Sequence, residues 1–160
     1  MVKTQTHSEM EFAADNSFSI EKAGLNQHFG EEVKTVEFIR AKDNKLSFIE
    51  ARTTFPNPDN SSESFSAQVC EVCDKFVHSL NMYAAVDVGA VDISFPSDFN
   101  TPDKVLVVFV LVIRNHKKEW CREVSRAIEV ALPLYVRKIW RASVFVINHE
   151  TAMNKGLAIS

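Results

Sequence analysis

The chain has 160 residues, of which 46% are hydrophobic and 24% charged, and a net charge of -3 at pH 7. That ordinary globular mixture excludes disordered and collagen-like classes and fits one domain with a single core. The charge is divided unevenly, since residues 1–103 carry 8 Lys and Arg against 17 Asp and Glu while residues 104–160 carry 10 against 4; a protein gripping nucleic acid unaided is usually more basic overall.

Residues 1–16 read as a polar N-terminal segment, expected to be frayed, ahead of a single α/β domain over residues 17–160. MVKTQTHSEMEF contains no apolar run, so a secretory signal is not expected. SFSIE (17–21) alternates like a short strand, and AGLNQHF after it reads as a helical turn closed by Gly30. Strands are expected over 34–41 and 46–54 from their β-branched and aromatic content. TTFPNPDNSSES then reads as a loop leading to a helix cap.

Phe65, Val69, Val72, Cys73, Phe76, Leu80 and Tyr83 fall on one helical stripe, which predicts an amphipathic helix from Ser64 to about Ala85. Residues 86–104 are mixed and Pro-punctuated, a short extended piece and a loop. VLVVFVLVI (105–113) has no polar alternation and reads as a strand covered on both faces; at nine residues it is too short to span a bilayer as a helix, and no membrane partner is expected. Residues 118–140 form a second helical pattern in which Pro133 predicts a kink. SVFVIN (143–148) is a last apolar strand, and HETAMNKG a short helix ended by Gly156. The order implies an α/β fold of three layers, with a mixed central β-sheet of about five strands flanked by two long helices.

The hairpin VEFIRAKDNKLSFIEAR (36–52) holds two acids among its apolar residues. With Asp43 and Asn44 at the centre of a two-residue turn, Glu37 is placed directly across from Glu50. Period two then puts Thr35, Ile39, Phe48 and Arg52 on their face, and Val36, Phe38, Ile49 and Ala51 on the other. Opposed like charges destabilise a strand pair unless compensated. A hard divalent cation such as Mg2+ or Mn2+ would compensate, being held by one or two carboxylates and several waters; alternatively Arg52 neutralises both acids in a structural charge cluster.

VEF followed by FIEAR across a hairpin, then a helix and an apolar strand, resembles the core of the PD-(D/E)XK nuclease superfamily over residues 18–113. The resemblance implies a restriction-endonuclease-like core, with Glu37 as the first acid, Glu50 as the second and Arg52 in the place of the Lys. It implies metal-dependent hydrolysis of a phosphodiester in nucleic acid, with Glu37 and Glu50 as the metal ligands. It also makes Gln68 and Lys75, on the helix after the motif, candidates for the helper residue. Arg departs from the pattern because it stays protonated and planar, whereas Lys is a compact charge. The alternative within the same fold is an inactive interaction or regulatory protein. Taken simply as surface residues, Gln68 is solvent-facing and Lys75 is solvated beside Asp74.

The tract Arg114, Asn115, His116, Lys117, Lys118, continued by Arg122 and Arg126 one helical turn apart, is a candidate phosphate-binding surface or a solvated strand end and helix face. Other constellations carry less. Cys70 and Cys73 have CxxC spacing without a second pair, so reduced core thiols in a cytoplasmic setting are expected rather than zinc or disulfides. The His residues lack HExxH spacing, and no Gly-rich phosphate loop or GxSxG elbow is present. A protein partner or homo-oligomer is a further expectation, with pairing at the edge near residues 17–21.

Overall fold

A computed structural model describes residues 3–60 and 63–160; Met1, Val2 and the Ser61–Ser62 part of the loop before the first helix lie outside the described residues. The central hairpin pairs strands β4 (Phe38–Lys42) and β5 (Lys45–Arg52) around Asp43 and Asn44, whose φ values are 52° and 63°. Both central residues have positive φ, the two-residue turn whose twist matches that of the strands it joins. The expected register holds from Lys42 opposite Lys45 to Phe38 opposite Ile49. There it stops. The Glu37 amide donates to the Ile49 carbonyl at 3.1 Å, so Glu37 and Phe38 both meet Ile49, the two-against-one count of a β-bulge. The bulge inverts the alternation before it: Val36, expected beside Phe38, Ile49 and Ala51, packs instead in the opposite cluster with Ile39 and Phe48.

Strand β3 (Ser17–Ser19) extends the hairpin antiparallel, and β6 (Leu106–Ile113) and β7 (Ser143–Asn148) continue it in parallel, giving a five-stranded mixed sheet in the order β3-β4-β5-β6-β7. Parallel neighbours need crossovers, supplied by α1 (Glu63–Asp87) and α2 (Lys118–Ala131). Crossovers of one hand between successive strands put both helices on the same face. Val69, Val72, Phe76 and Leu80 of α1 and Cys121, Val124 and Ile128 of α2 accordingly share one core with Phe48, Phe109 and Leu111. Phe76 stacks on Phe109 with ring centroids 4.7 Å apart.

The third layer is not a long helix. Residues expected to fray form a hairpin, β1 (Thr4–His7) with β2 (Met10–Ala13), whose Met10 and Phe12 are fully buried against Phe38, Ile49, Val108, Val110 and Val112. The chain end joins this layer, with Ala158 bridging Phe12 and the Ile159 amide donating to the Glu11 carbonyl at 2.7 Å. Helix α4 (His149–Asn154) adds Ala152 to the same cluster, and Gly156 closes it at φ 74°. Two large apolar residues of a polar stretch, Met10 and Phe12, were enough to anchor this layer, because the sheet supplies the other side of the contact.

Pro133 breaks the second long helix rather than kinking it: α2 ends at Ala131 and α3 (Leu134–Lys138) starts anew. Leu132 takes ψ 142°, the extended geometry a following proline imposes. Residues 86–104 contain no strand, but Ile93, Phe95 and Phe99 close the core beneath Phe18 and Tyr83.

Candidate active site

Parallel order brings the carboxyl ends of β5, β6 and β7 together, where α/β sheets commonly bind ligands. Glu50 lies two residues inside that end of β5 on the helix face and is fully buried. Its Oε2 accepts from Lys75 Nζ at 2.7 Å and from Arg52 Nε at 3.0 Å; its Oε1 is buried and meets no hydrogen-bond partner among the described residues. Arg52 reaches further, donating from Nη1 to Gln68 Oε1 at 2.6 Å and from Nη2 to Glu71 Oε1 at 3.2 Å. Gln68, Glu71 and Lys75 present one face of α1 because residues three and four apart are neighbours on a helix.

Lys75 therefore is not the solvated neighbour of Asp74: Asp74 pairs with Lys34 at 3.8 Å, while Lys75 turns inward. Gln68 likewise belongs to the cluster. Sequence reasoning missed Glu71; its position one turn after Gln68 was the available signal.

Glu37 does not lie directly opposite Glu50. The bulge aims it toward the N-terminal hairpin, where its Oε2 is 3.1 Å from His7 Nδ1. His7 stacks on Phe38 at 5.2 Å, and its Nε2 is 3.1 Å from Gln5 Oε1, so each ring nitrogen faces an acceptor oxygen. The hairpin turn is tied down at two further points, Ser8 Oγ donating to the Ala51 carbonyl at 2.9 Å and Glu9 Oε2 accepting from Arg114 Nη1 at 2.7 Å. His7 was missed because it sits in a segment expected to fray.

The two acids are pushed in opposite directions. The His7 hydrogen bond holds the Glu37 carboxyl below its ordinary value, helped by Lys75 and Arg52. Burial pushes Glu50 up despite the two cations on it, and the Glu37 charge adds to the rise. A buried ion pair repays its desolvation only when its remaining lone pairs are satisfied. Glu50 Oε1 is not, so the cluster is a poor investment for folding alone, and paired acids with divergent environments are a feature of functional sites.

Among the described residues, no group of three or more His, Cys, Asp and Glu gathers in a metal-holding arrangement. A hard cation can be held by two carboxylates and several waters; Glu50 Oε1 is an acceptor with no partner among the described residues, while the Glu37 carboxylate is turned to His7 on the hairpin side.

An open pocket of about 580 Å³ adjoins the cluster, lined by Arg52, Thr53, Thr54, Phe55, Ser64 and Gln68 among others. The basic tract begins beside it, the Arg114 amide donating to the Arg52 carbonyl at 2.8 Å. Its members then diverge. Arg114 pairs with Glu9, the His116 ring packs between Phe55 and Trp120 with burial lowering its pKa, and Lys117 Nζ sits 4.9 Å from the Trp120 ring centre. Lys118, Arg122 and Arg126 line a separate groove between α2 and β7. All three cysteines are free thiols; Cys70 is exposed, and burial pushes the Cys73 thiol up to about 12.

No family model, curated protein or solved structure matches the chain.

Proposed function

We propose that Glu50, Arg52, Gln68 and Lys75, joined at the end of the sheet by Glu37 from the hairpin side, form the active site of a nuclease-like, divalent-metal-dependent phosphodiester hydrolase acting on nucleic acid. The observation that carries this reading is Lys75 Nζ at 2.7 Å from Glu50 Oε2. Arg52 stands where the PD-(D/E)XK pattern has Lys, and a planar, permanently charged guanidinium is a poor substitute for a compact ammonium. Lys75 supplies that ammonium from α1 to the same carboxylate.

Glu50 Oε1 and a Glu37 carboxylate swung from His7 around the end of the sheet would hold Mg2+ or Mn2+, which would supply a water of lowered pKa and charge stabilisation at the phosphoryl group. The protein's own residues do the rest. Lys75 holds Glu50 in place and presents a donor beside it. Arg52, fixed by Gln68 and Glu71, lines the adjoining pocket with a charge suited to a phosphate oxygen. Lys117 extends positive charge from that end of the sheet for backbone phosphates. Three free thiols, two of them buried, fit a cytoplasmic setting.

A second reading has its own observation. Two cations already meet Glu50 Oε2, the arrangement of a structural charge cluster in an inactive nuclease-fold protein that serves as an interaction or regulatory subunit. Calorimetric titration with MgCl2 and MnCl2 separates the two, run beside a plasmid-nicking assay. The hydrolase reading expects wild type to bind metal and nick DNA and Glu50→Gln to do neither. Wild type that neither binds metal nor cuts DNA or RNA defeats it.

A further inference from the structure

β7 is the last strand of the sheet, and among the described residues its Ser143–Ile147 backbone makes no hydrogen bond outside the ladder with β6. An unpaired edge is a template for another strand. Beside it runs the groove of about 450 Å³ between α2 and β7, lined by Lys118, Arg122, Ser125 and Arg126, with Glu129 at its far end. The three cations are exposed, and none has an ion-pair partner among the described residues.

Their spacing matches a strand. Positions four apart on a helix advance roughly 6 Å, and side chains on one face of a strand recur at roughly 6.7 Å. A strand laid along β7 therefore sets side chains i, i+2 and i+4 against Lys118, Arg122 and Arg126. Its intervening side chains fall on the opposite face, where Phe145 is 51% exposed. We infer that this groove is a docking site for an extended acidic peptide segment of a partner protein, added as a sixth strand, with three carboxylates at alternate positions and apolar residues between them.

Charge argues against a second copy of this chain as the occupant. Twofold antiparallel pairing of β7 with β7 would bring two α2 cation rows onto one face, like charge beside like charge. A nucleic acid would satisfy the cations but leave the strand edge and Phe145 uncovered. Strand addition satisfies all three features, with main-chain bonds giving affinity and alternate side chains giving specificity. The inference is independent of any hydrolase activity at Glu50.

The probe is a fluorescein-labelled nine-residue peptide in which Glu alternates with Val, followed by anisotropy at low salt against the full chain. Two further peptides carry backbone N-methyl groups on the Glu residues or on the Val residues. Binding is expected to fall about tenfold or more in Arg122→Glu/Arg126→Glu. One methylation pattern, the one facing β7, is expected to lose binding while the other keeps it. Absence of peptide binding overturns the proposal, as does equal binding of both methylated peptides, which marks simple charge attraction. A fifteen-nucleotide oligothymidine that binds through Arg122 and Arg126 where the peptide does not would make the groove a nucleic-acid surface. A dimer that the peptide dissociates would overturn the argument against self-pairing.

Discussion

Lys75 of α1 and Glu50 of β5, 25 residues apart in the chain, meet at 2.7 Å in a site where Glu50 is fully buried. If this ammonium serves the reaction, its shape matters as well as its charge. Lys75→Ala should lower the rate of metal-dependent plasmid nicking by about 10²-fold or more. Lys75→Arg should rescue little of it, while Arg52→Lys should stay within about tenfold of wild type, since Lys75 already fills the role. Nicking rates at saturating MnCl2 provide the check.

The raised Glu50 pKa gives stability a definite pH dependence. Burial makes the ionised form less favourable in the folded chain than in the unfolded one. Such a group contributes its full stability below the unfolded value near 4.5, and the contribution is lost as pH rises through the higher folded value. Gln mimics the protonated form and never ionises. Glu50→Gln should therefore melt above wild type in EDTA at pH 8, with a gap that shrinks at pH 5; thermal denaturation across that range reads it directly.

His7 holds Glu37 from a different layer of the fold. The hydrogen bond at 3.1 Å is the first cause of the lowered Glu37 pKa, so its removal has a sign. In His7→Phe, which keeps a ring on Phe38, the Glu37 carboxyl should titrate at higher pH than in wild type. Carbon-detected NMR titration of the Glu side chains follows this; an unmoved Glu37 would mean that the contact does not persist in solution.

The N-terminal hairpin should behave as core. Phe12 is fully buried in a cluster with Phe38 and Val110, and truncating such a ring costs about 3–5 kcal/mol. Phe12→Ala should lose that much in urea denaturation, whereas a frayed segment would lose almost nothing.

Thiol chemistry provides an independent test of the helix face. Cys70 is exposed and Cys73 and Cys121 are buried, the Cys73 thiol being held up to about 12. In the folded protein at pH 8, Cys70 should react with Ellman's reagent within minutes, and Cys73 and Cys121 only on unfolding.

Local patterns were legible where a few neighbouring residues decide the outcome. The Asp43–Asn44 turn, the uninterrupted apolar runs of β6 and β7 and the stripe of α1 each follow from spacing and backbone preference. Arg52 beside Glu50 on one strand face was readable for the same reason. The bulge at Glu37 was not, because one extra residue leaves no mark in composition yet reverses which face every earlier side chain takes.

By itself the sequence determined the α/β class, the five strands of the sheet and the approximate place of the acids. Tertiary structure decided what those acids meet. Lys75, Gln68 and Glu71 on one side and His7 on the other arrive from elements distant in the chain. Both long helices share one face because successive crossovers have one hand, and the polar N-terminus becomes a layer because the sheet's second face must be covered. Burial then sets Glu50 apart from Glu37: identical side chains acquire opposite pKa shifts because only the packed fold fixes how much water and which charges each one sees.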